Sequence, residues 1–508
     1  QVTAIGGYEV RSLGTVANSY RLYGYDPDKS TVAPLVDYIT QYPLLSNPTQ
    51  QVPVPNTTGI RQTSDRFLSY YGNAAYTYNN RYTVSASARH DAANLFGVDA
   101  NQRGTPLWSA GGSWTASNEA FYHLRWLTLL KLRATYGYNG NISRLATAAT
   151  TLSYGLTATT SALAARVKSP PNRSLQWEQV GMLNLGLDFA TKQNMVRGSV
   201  EYYHKRATHL LGQAPIDPTL GVSLSYTGGP TYYYGNVGDM AGSGVDALVT
   251  TLNTGGRVVW TTDWVFSYAK TKVTGYDLPT GYGINYLNTG NINPVKGKPL
   301  FALYSYAWGG LNPATGAARG MLNGKESEDY ATLLSATPLD SMVYNGPAQP
   351  TVFGSVRNTV QWKGLSLSFN ISYKLGYYFR RTSVNYYTLY ASWTGSGDYA
   401  KRWQQPGDEA HTSVPARLYP ADGQADGFYQ YSSVLVERGD HVRLEGITLS
   451  YDLDKGKLPR LPVSHLRVYA YAGNLGVLWT DNKEHIDPYY NNLPKAGRSL
   501  SLGVTVDW

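Results

Sequence analysis

Cysteine is absent from this sequence, which excludes a disulfide framework and any thiolate metal site. No apolar run approaches the 18 or more residues that a membrane-spanning helix requires. No secretory leader is visible and the first residue is Gln1 rather than Met, so the expectation is a processed product or a fragment. Charge is scarce: 15% of 508 residues are Asp, Glu, Lys or Arg, with a formal net charge of +9. The basic residues are scattered through strand-like segments, so no nucleic-acid footprint is expected. Enzyme signatures are missing as well. There is no G-x-S-x-G, no H-E-x-x-H and no P-loop, and the eight His share no ligand spacing. The expectation is therefore no catalytic residue, no metal and no cofactor.

What the chain does have is 44 Tyr and 52 Gly. Tyr favours strands and Gly favours turns, and both form helices poorly, so the composition points to an all-β fold. Strict alternation confirms strands locally. In 81–90, Tyr82, Val84, Ala86 and Ala88 fall on one face, and Arg81, Thr83, Ser85, Ser87 and Arg89 on the other. The same alternation recurs in 196–205, 365–374, 466–473 and 499–508. About fourteen such strands are expected, many with ten or more patterned residues. Soluble strands average about 5–6 residues, whereas bilayer-spanning ones need about 9–11.

The links between strands carry a second signal. Short links are expected at 78–80, 191–194, 253–256 and 362–364, with two somewhat longer ones at 118–130 and 453–464. Between them lie long segments at roughly 14–64, 92–106, 141–174, 211–235, 275–350, 381–436 and 480–497. Outer-membrane barrels alternate short periplasmic turns with long external loops in this way. The predicted fold is a transmembrane antiparallel β-barrel. Energetics then orient its faces. Arg81, Arg89, Arg133, Arg197 and Arg467 would each cost up to about 2–4 kcal/mol if they met lipid near the midplane. They are expected to line the lumen, and the apolar face is expected to be the outside.

Several segments resemble one family. The run "NRYTVSASARHDAANLFG", "PLWSAGGSWTASNEAFY" and "LKLRATYGYNGN", the pair "SLQWEQVGMLNLGLDFA" and "GSVEYYHKRATHLL", and the late "RWQQPGDEA" and "GDHVRLEGITLSYDL" are similar to the SusC/RagA-type TonB-dependent outer-membrane transporters of Bacteroidetes. The resemblance implies a barrel of about 22 strands around an N-terminal plug, under a SusD-like surface lipoprotein. It implies that residues 1–508 are the C-terminal part of that barrel. The plug, the TonB box and about eight strands would lie in the remaining N-terminal part of the transporter. Trp508, an aromatic last residue on an apolar strand, resembles a signal for barrel assembly. The implied partners are the SusD-like lipoprotein, TonB, the N-terminal part and outer-membrane lipids. The implied function is active import of a large nutrient, an oligosaccharide or a peptide. A docking subunit that no longer transports is the alternative, and a soluble glycan-binding protein is the third reading.

Aromatic clusters in predicted loops are the candidate contact residues: Tyr232, Tyr233 and Tyr234, and Tyr386, Tyr387, Tyr390 and Trp393. Aromatic faces stack on sugars and fill protein–protein hot spots. They also serve as girdle residues or as packing within long loops, and the sequence leaves these readings open. Interior cations are expected to pair with Glu178, Asp188 or Glu201. Asp408 and Glu409 read as a solvated or lumen-facing pair. Asp452 and Asp454 look like part of a calcium loop, but Val463 stands where the closing Glu belongs, so a turn is the better reading. Glu484 and His485 are expected to meet water.

Overall fold

The structure is a computed structural model describing residues 1–507 except 34, 45–46, 95–103, 144–145, 157–161, 217–231, 277–280, 288–292, 455–463 and 492. Fourteen strands form one antiparallel sheet in which each strand pairs with its neighbours in sequence. They are β1 Val2–Ser19, β2 Gly59–Tyr78, β3 Tyr82–Ala93, β4 Gly104–Thr115 and β5 Leu127–Asn141. Next come β6 Glu178–Thr191, β7 Val196–Pro215, β8 Tyr232–Thr254 and β9 Val258–Tyr276. The series ends with β10 Val352–Trp362, β11 Leu365–Leu375, β12 His441–Asp454, β13 His465–Thr480 and β14 Ser499–Asp507. This meander puts all the short links at one rim and all the long ones at the other, as expected.

Local chemistry explains the tight rim. Asn79 and Asn80 both take positive φ, as do Gln193 and Asn194, and Lys363 is followed by Gly364 at φ 91°. Asn and Gly tolerate that left-handed region best, so these positions are where the chain can reverse within three or four residues. The longer short link, between β4 and β5, is a 3-10 turn at Ala116–Asn118 followed by 119–126. The link 455–463 lies outside the described residues, and with it Val463 and the calcium-loop expectation. Trp508 also lies outside them, although Asp507 ends β14 at the tight rim by strand parity.

The outward face is apolar and bare of protein: Val84 is 64% exposed and Leu502 79%, with Leu132, Leu185, Leu367 and Leu449 exposed in the same way. A soluble protein rarely leaves a contiguous apolar patch of more than a few hundred Å². Hydrocarbon is the medium that such a wall matches. Within the described residues β1 pairs only with β2, and β14 only with β13. The sheet is open, not an independently closed barrel of fourteen strands.

Above the loose rim the two longest connections, 277–351 and 376–440, fold against each other into a cap with its own apolar core. Tyr304, Tyr306, Leu311, Leu333, Phe428 and Leu435 are at its centre. It holds three short helices, α1 Tyr330–Ala336, α2 Tyr386–Ser392 and α3 Gly423–Gln430. Capping chemistry starts each of them. Asp329, Asn385 and Asp422 accept hydrogen bonds from the N–H groups of Thr332, Thr388 and Gln424, which satisfies donors that a first turn leaves free.

Candidate functional site

Five arginines expected on the polar face all occupy strand or turn positions there, and four have carboxylate partners. Arg133 is the most elaborated. Its Nε and Nη2 donate to the two Asp188 oxygens at 2.9 Å each, and Nη2 also donates to Glu201 Oε1 at 2.7 Å. Register creates this fork: Arg133, Gly186 and Glu201 share one cross-strand row. A Cβ at Gly186 would sit 3.0 Å from the guanidinium, so glycine there lets the arginine cross to the next strand. Arg81 pairs with Glu119 at 3.2 Å, Arg89 with Asp91 at 2.5 Å and Glu9 at 3.4 Å, and Arg467 with Asp452 at 2.6 Å. Arg197 is exposed near the tight rim. The expectation for Asp188 and Glu201 matches these pairs. Glu178 instead accepts from Asn141 Nδ2 and the Leu211 N–H.

The first aromatic cluster is not in a loop. Tyr232, Tyr233 and Tyr234 are the opening residues of β8, paired with Pro215, Ala214 and Gln213 of β7. These two strands have 20 and 23 residues, about twice what a bilayer needs. Their outer ends stand in water on both faces, so alternation fades there and the sequence reads as loop. The second cluster splits. Tyr386 is buried in the cap core with its hydroxyl on Pro415 O at 2.7 Å. Tyr390 is half-buried and accepts from Arg417 Nε at 3.1 Å. Tyr387 is exposed, and Trp393, 91% exposed, closes α2 in a left-handed conformation at φ 57°. Leu418 and Tyr419 are exposed nearby, with Tyr419 edge-on to Tyr390 at 5.4 Å. Those two were not singled out from the sequence, because isolated loop apolar residues carry no pattern.

Beneath the cap lies a layer of buried charge that sequence reasoning missed. Arg381 pairs with Asp398, whose Oδ2 also accepts from Ser383 Oγ at 2.6 Å, and Ser383 contacts the Tyr429 hydroxyl at 3.0 Å. Burial pulls the Arg380 guanidinium down to about 10; it donates to Leu287 O and Tyr304 O and lies 4.8 Å from the Tyr431 ring. At the start of β12, Arg443 bonds Asp487 and Asn474 at 2.7 Å each. These groups open onto a polar cavity of about 670 Å³ that Lys495 and Arg498 also line. Glu484 does not simply meet water: it pairs with Lys401 at 2.7 Å. His485 is exposed beside that cavity. Asp408 and Glu409 staple their own loop, accepting from the N–H groups of Gln404, Gln405 and Gly407 and from Trp403 Nε1. Among the described residues no cluster of His, Asp and Glu could hold a metal.

Asp398 makes the cap sensitive to acid. Burial raises its pKa, but the Ser383 and Arg381 hydrogen bonds and the nearby charges outweigh that, leaving it below its ordinary 3.8. A depressed carboxyl pKa contributes stability that is complete above the unfolded value and disappears as pH falls through the folded one. The Asp398 contribution to cap stability is therefore expected to be complete and independent of pH near neutrality, and to be lost as pH falls below 3.8. Acid titration followed by tryptophan fluorescence checks this: Asp398→Asn should already be destabilised at neutral pH and lack that part of the acid limb. An unchanged acid limb in the variant refutes the assignment.

No family model matches the chain. A TonB-dependent receptor of Formosa agariphila is 25% identical over 98% of this chain and 49% of its own length. The TonB-dependent receptor SusC of Bacteroides thetaiotaomicron is 23% identical over 77% of this chain and 38% of its own. A RagAB peptide importer in its open–open state superposes on 100% of this chain and 52% of its own, with TM-score 0.75 and 21% identity; that likeness concerns the fold. The chain thus spans about half the length of the relatives it matches. The two curated relatives are named as TonB-dependent receptors, and the solved structure as a peptide importer. The alternating wall and the two-rim rhythm thus go with similarity in sequence to TonB-dependent receptors, SusC among them, and in fold to the RagAB importer.

Proposed function

We propose that residues 1–508 are the C-terminal part of a barrel that actively imports a large nutrient, an oligosaccharide or a peptide, with energy delivered through TonB. The observation that carries the reading is the open fourteen-stranded wall, matched along its whole length by about half of a peptide importer's chain. Unpaired backbone at a sheet edge is not tolerated in hydrocarbon. The reading accordingly assigns the plug, the TonB box and the remaining strands to residues outside these 508. The paired arginines Arg81, Arg89, Arg133 and Arg467, with Arg197, line the lumen, where charge-balanced walls let a polar solute pass without a strong trap. Trp508 serves assembly of the wall in the membrane.

A SusD-like lipoprotein is the lid in this reading, and the cap is its seat. Tyr387, Trp393 and Tyr419 present aromatic surface on a base held by a packed core, the arrangement in which hot spots form. Trp393→Ala in the full-length protein is expected to weaken co-purification of the lipoprotein by about 2 kcal/mol, roughly thirty-fold in Kd. Unchanged co-purification would remove Trp393 from the interface. Import itself is tested by following labelled oligosaccharides and peptides into cells that carry or lack TonB. Accumulation that needs both TonB and this protein supports the reading. An intact lipoprotein complex with no TonB-dependent uptake of either class would support the docking subunit instead.

A further inference from the structure

We propose that the outward face of β3–β7 holds one glycerophospholipid of the periplasmic leaflet, its acyl chain in a groove of the wall and its anionic headgroup at the β4–β5 turn. This inference rests on the membrane placement of the sheet and goes beyond the import reading.

The groove is a feature of register. Val84, Gly112, Ala134, Leu185 and Tyr202 form one cross-strand row. Gly112 and Ala134 are adjacent in it, so the wall is thin at that point, while larger side chains stand around them. On the side of the tight rim, Tyr82, Trp114 and Leu132 form the next row. On the other side Trp108, Tyr136 and Tyr138 pack together with ring centroids 5.7–5.9 Å apart. The depression over these two rows, which Leu187 and Val200 also line, has a volume of about 700 Å³ and walls that are almost wholly hydrocarbon and aromatic. It faces the bilayer, so a lipid chain is the occupant its chemistry matches.

The lower end of the groove leads to a turn with the composition of a headgroup site. Phe121 lies 6.4 Å from Trp114, ring to ring. Phe121, Leu124 and Trp126 are exposed, and so are His123 and Arg125 between them. The Lys192 N–H donates to Trp126 O at 2.8 Å, which brings a second cation to the same turn. The acid of this turn, Glu119, is already engaged by Arg81 at 3.2 Å and Trp114 Nε1 at 3.1 Å. Among the described residues Arg125 and Lys192 have no acidic side-chain partner. Aromatic side chains at headgroup level with free cations beside them attract anionic lipid.

The test uses the full-length protein, delipidated in mild detergent and examined by native mass spectrometry with added phosphatidylglycerol or phosphatidylethanolamine. Gly112→Leu with Ala134→Leu fills the floor; a Cβ at Gly112 would meet only Thr83 O at 3.8 Å, so the backbone accommodates it. Arg125→Ser with Lys192→Ser removes the headgroup charge. The expected result is one retained phosphatidylglycerol, at least ten-fold weaker in the filled variant, and weaker than wild type in the charge variant for phosphatidylglycerol but not for phosphatidylethanolamine. Heat-modifiable migration reports that each variant is folded. Equal retention of phosphatidylglycerol by wild type and a folded, filled variant overturns the site. Equal retention of both lipids by wild type overturns the anionic headgroup.

Discussion

Phe428→Ala is expected to unfold the cap while leaving the fourteen-stranded wall intact. Phe428 is 0% exposed in α3. Its ring lies 5.7 Å from Tyr306, 5.8 Å from Tyr330 and near-parallel to Trp308 at 6.4 Å. Gly320 packs so closely beneath it that a Cβ there would come within 2.7 Å of the ring. Truncating a buried Phe costs about 3–5 kcal/mol. Little local propensity offsets that loss, because helices of 7 and 8 residues are far below the length at which a helix stands alone. The wall has its own ladders and its own medium. In the full-length protein, proteolysis should become fast within 277–351 and 376–440 while heat-modifiable migration of the barrel persists. A variant whose cap stays protease-resistant would show that these loops are held by something other than this core.

How far the fold could be read in advance follows the bilayer. Strand β11 was legible to within a residue, since 365–374 alternates throughout and the structure gives Leu365–Leu375. Strand β7 was legible only from 196 to 205, and in the structure it continues to Pro215. Alternation is imposed where one face meets hydrocarbon and the other water. Beyond the membrane both faces are wet, so the same strand continues without its pattern, and Tyr232–Tyr234 were placed in a loop for that reason. The cap was invisible for a different cause. Its apolar residues are spread over two loops separated by β10 and β11, and none of its helices is long enough to show a period. Asp188 and Glu201 could be named as partners of interior cations, and both meet Arg133, because adjacent long strands limit the choices. Arg381 and Arg443 could not, because their partners lie in irregular loops where no register constrains them.

Arg443 and Asp487 form the pair whose disruption should cost the rim most. The Arg443 side chain is 2% exposed and that of Asp487 5%. Besides the 2.7 Å bond between them, Arg443 donates to Asn474 Oδ1 at 2.7 Å, lies 3.7 Å from Glu445 and sits 4.7 Å from the Tyr489 ring. Asn474 in turn donates to Ala496 O at 2.7 Å, so the guanidinium indirectly anchors the loop that leads into β14. Removing one partner of a buried pair typically costs about 3–5 kcal/mol, because the other charge remains out of water, whereas replacing both with apolar groups of similar volume is often neutral. Asp487→Ala is therefore expected to destabilise the rim by that amount. Arg443→Met with Asp487→Leu is expected to recover most of the loss, to within about 1–2 kcal/mol of wild type. Thermal unfolding of full-length protein in detergent measures both, and protease sensitivity of 481–498 locates the effect. If the double variant is as unstable as Asp487→Ala, the uncompensated charge is not what the single substitution exposes, and the Asn474 link to the loop must carry the stability instead.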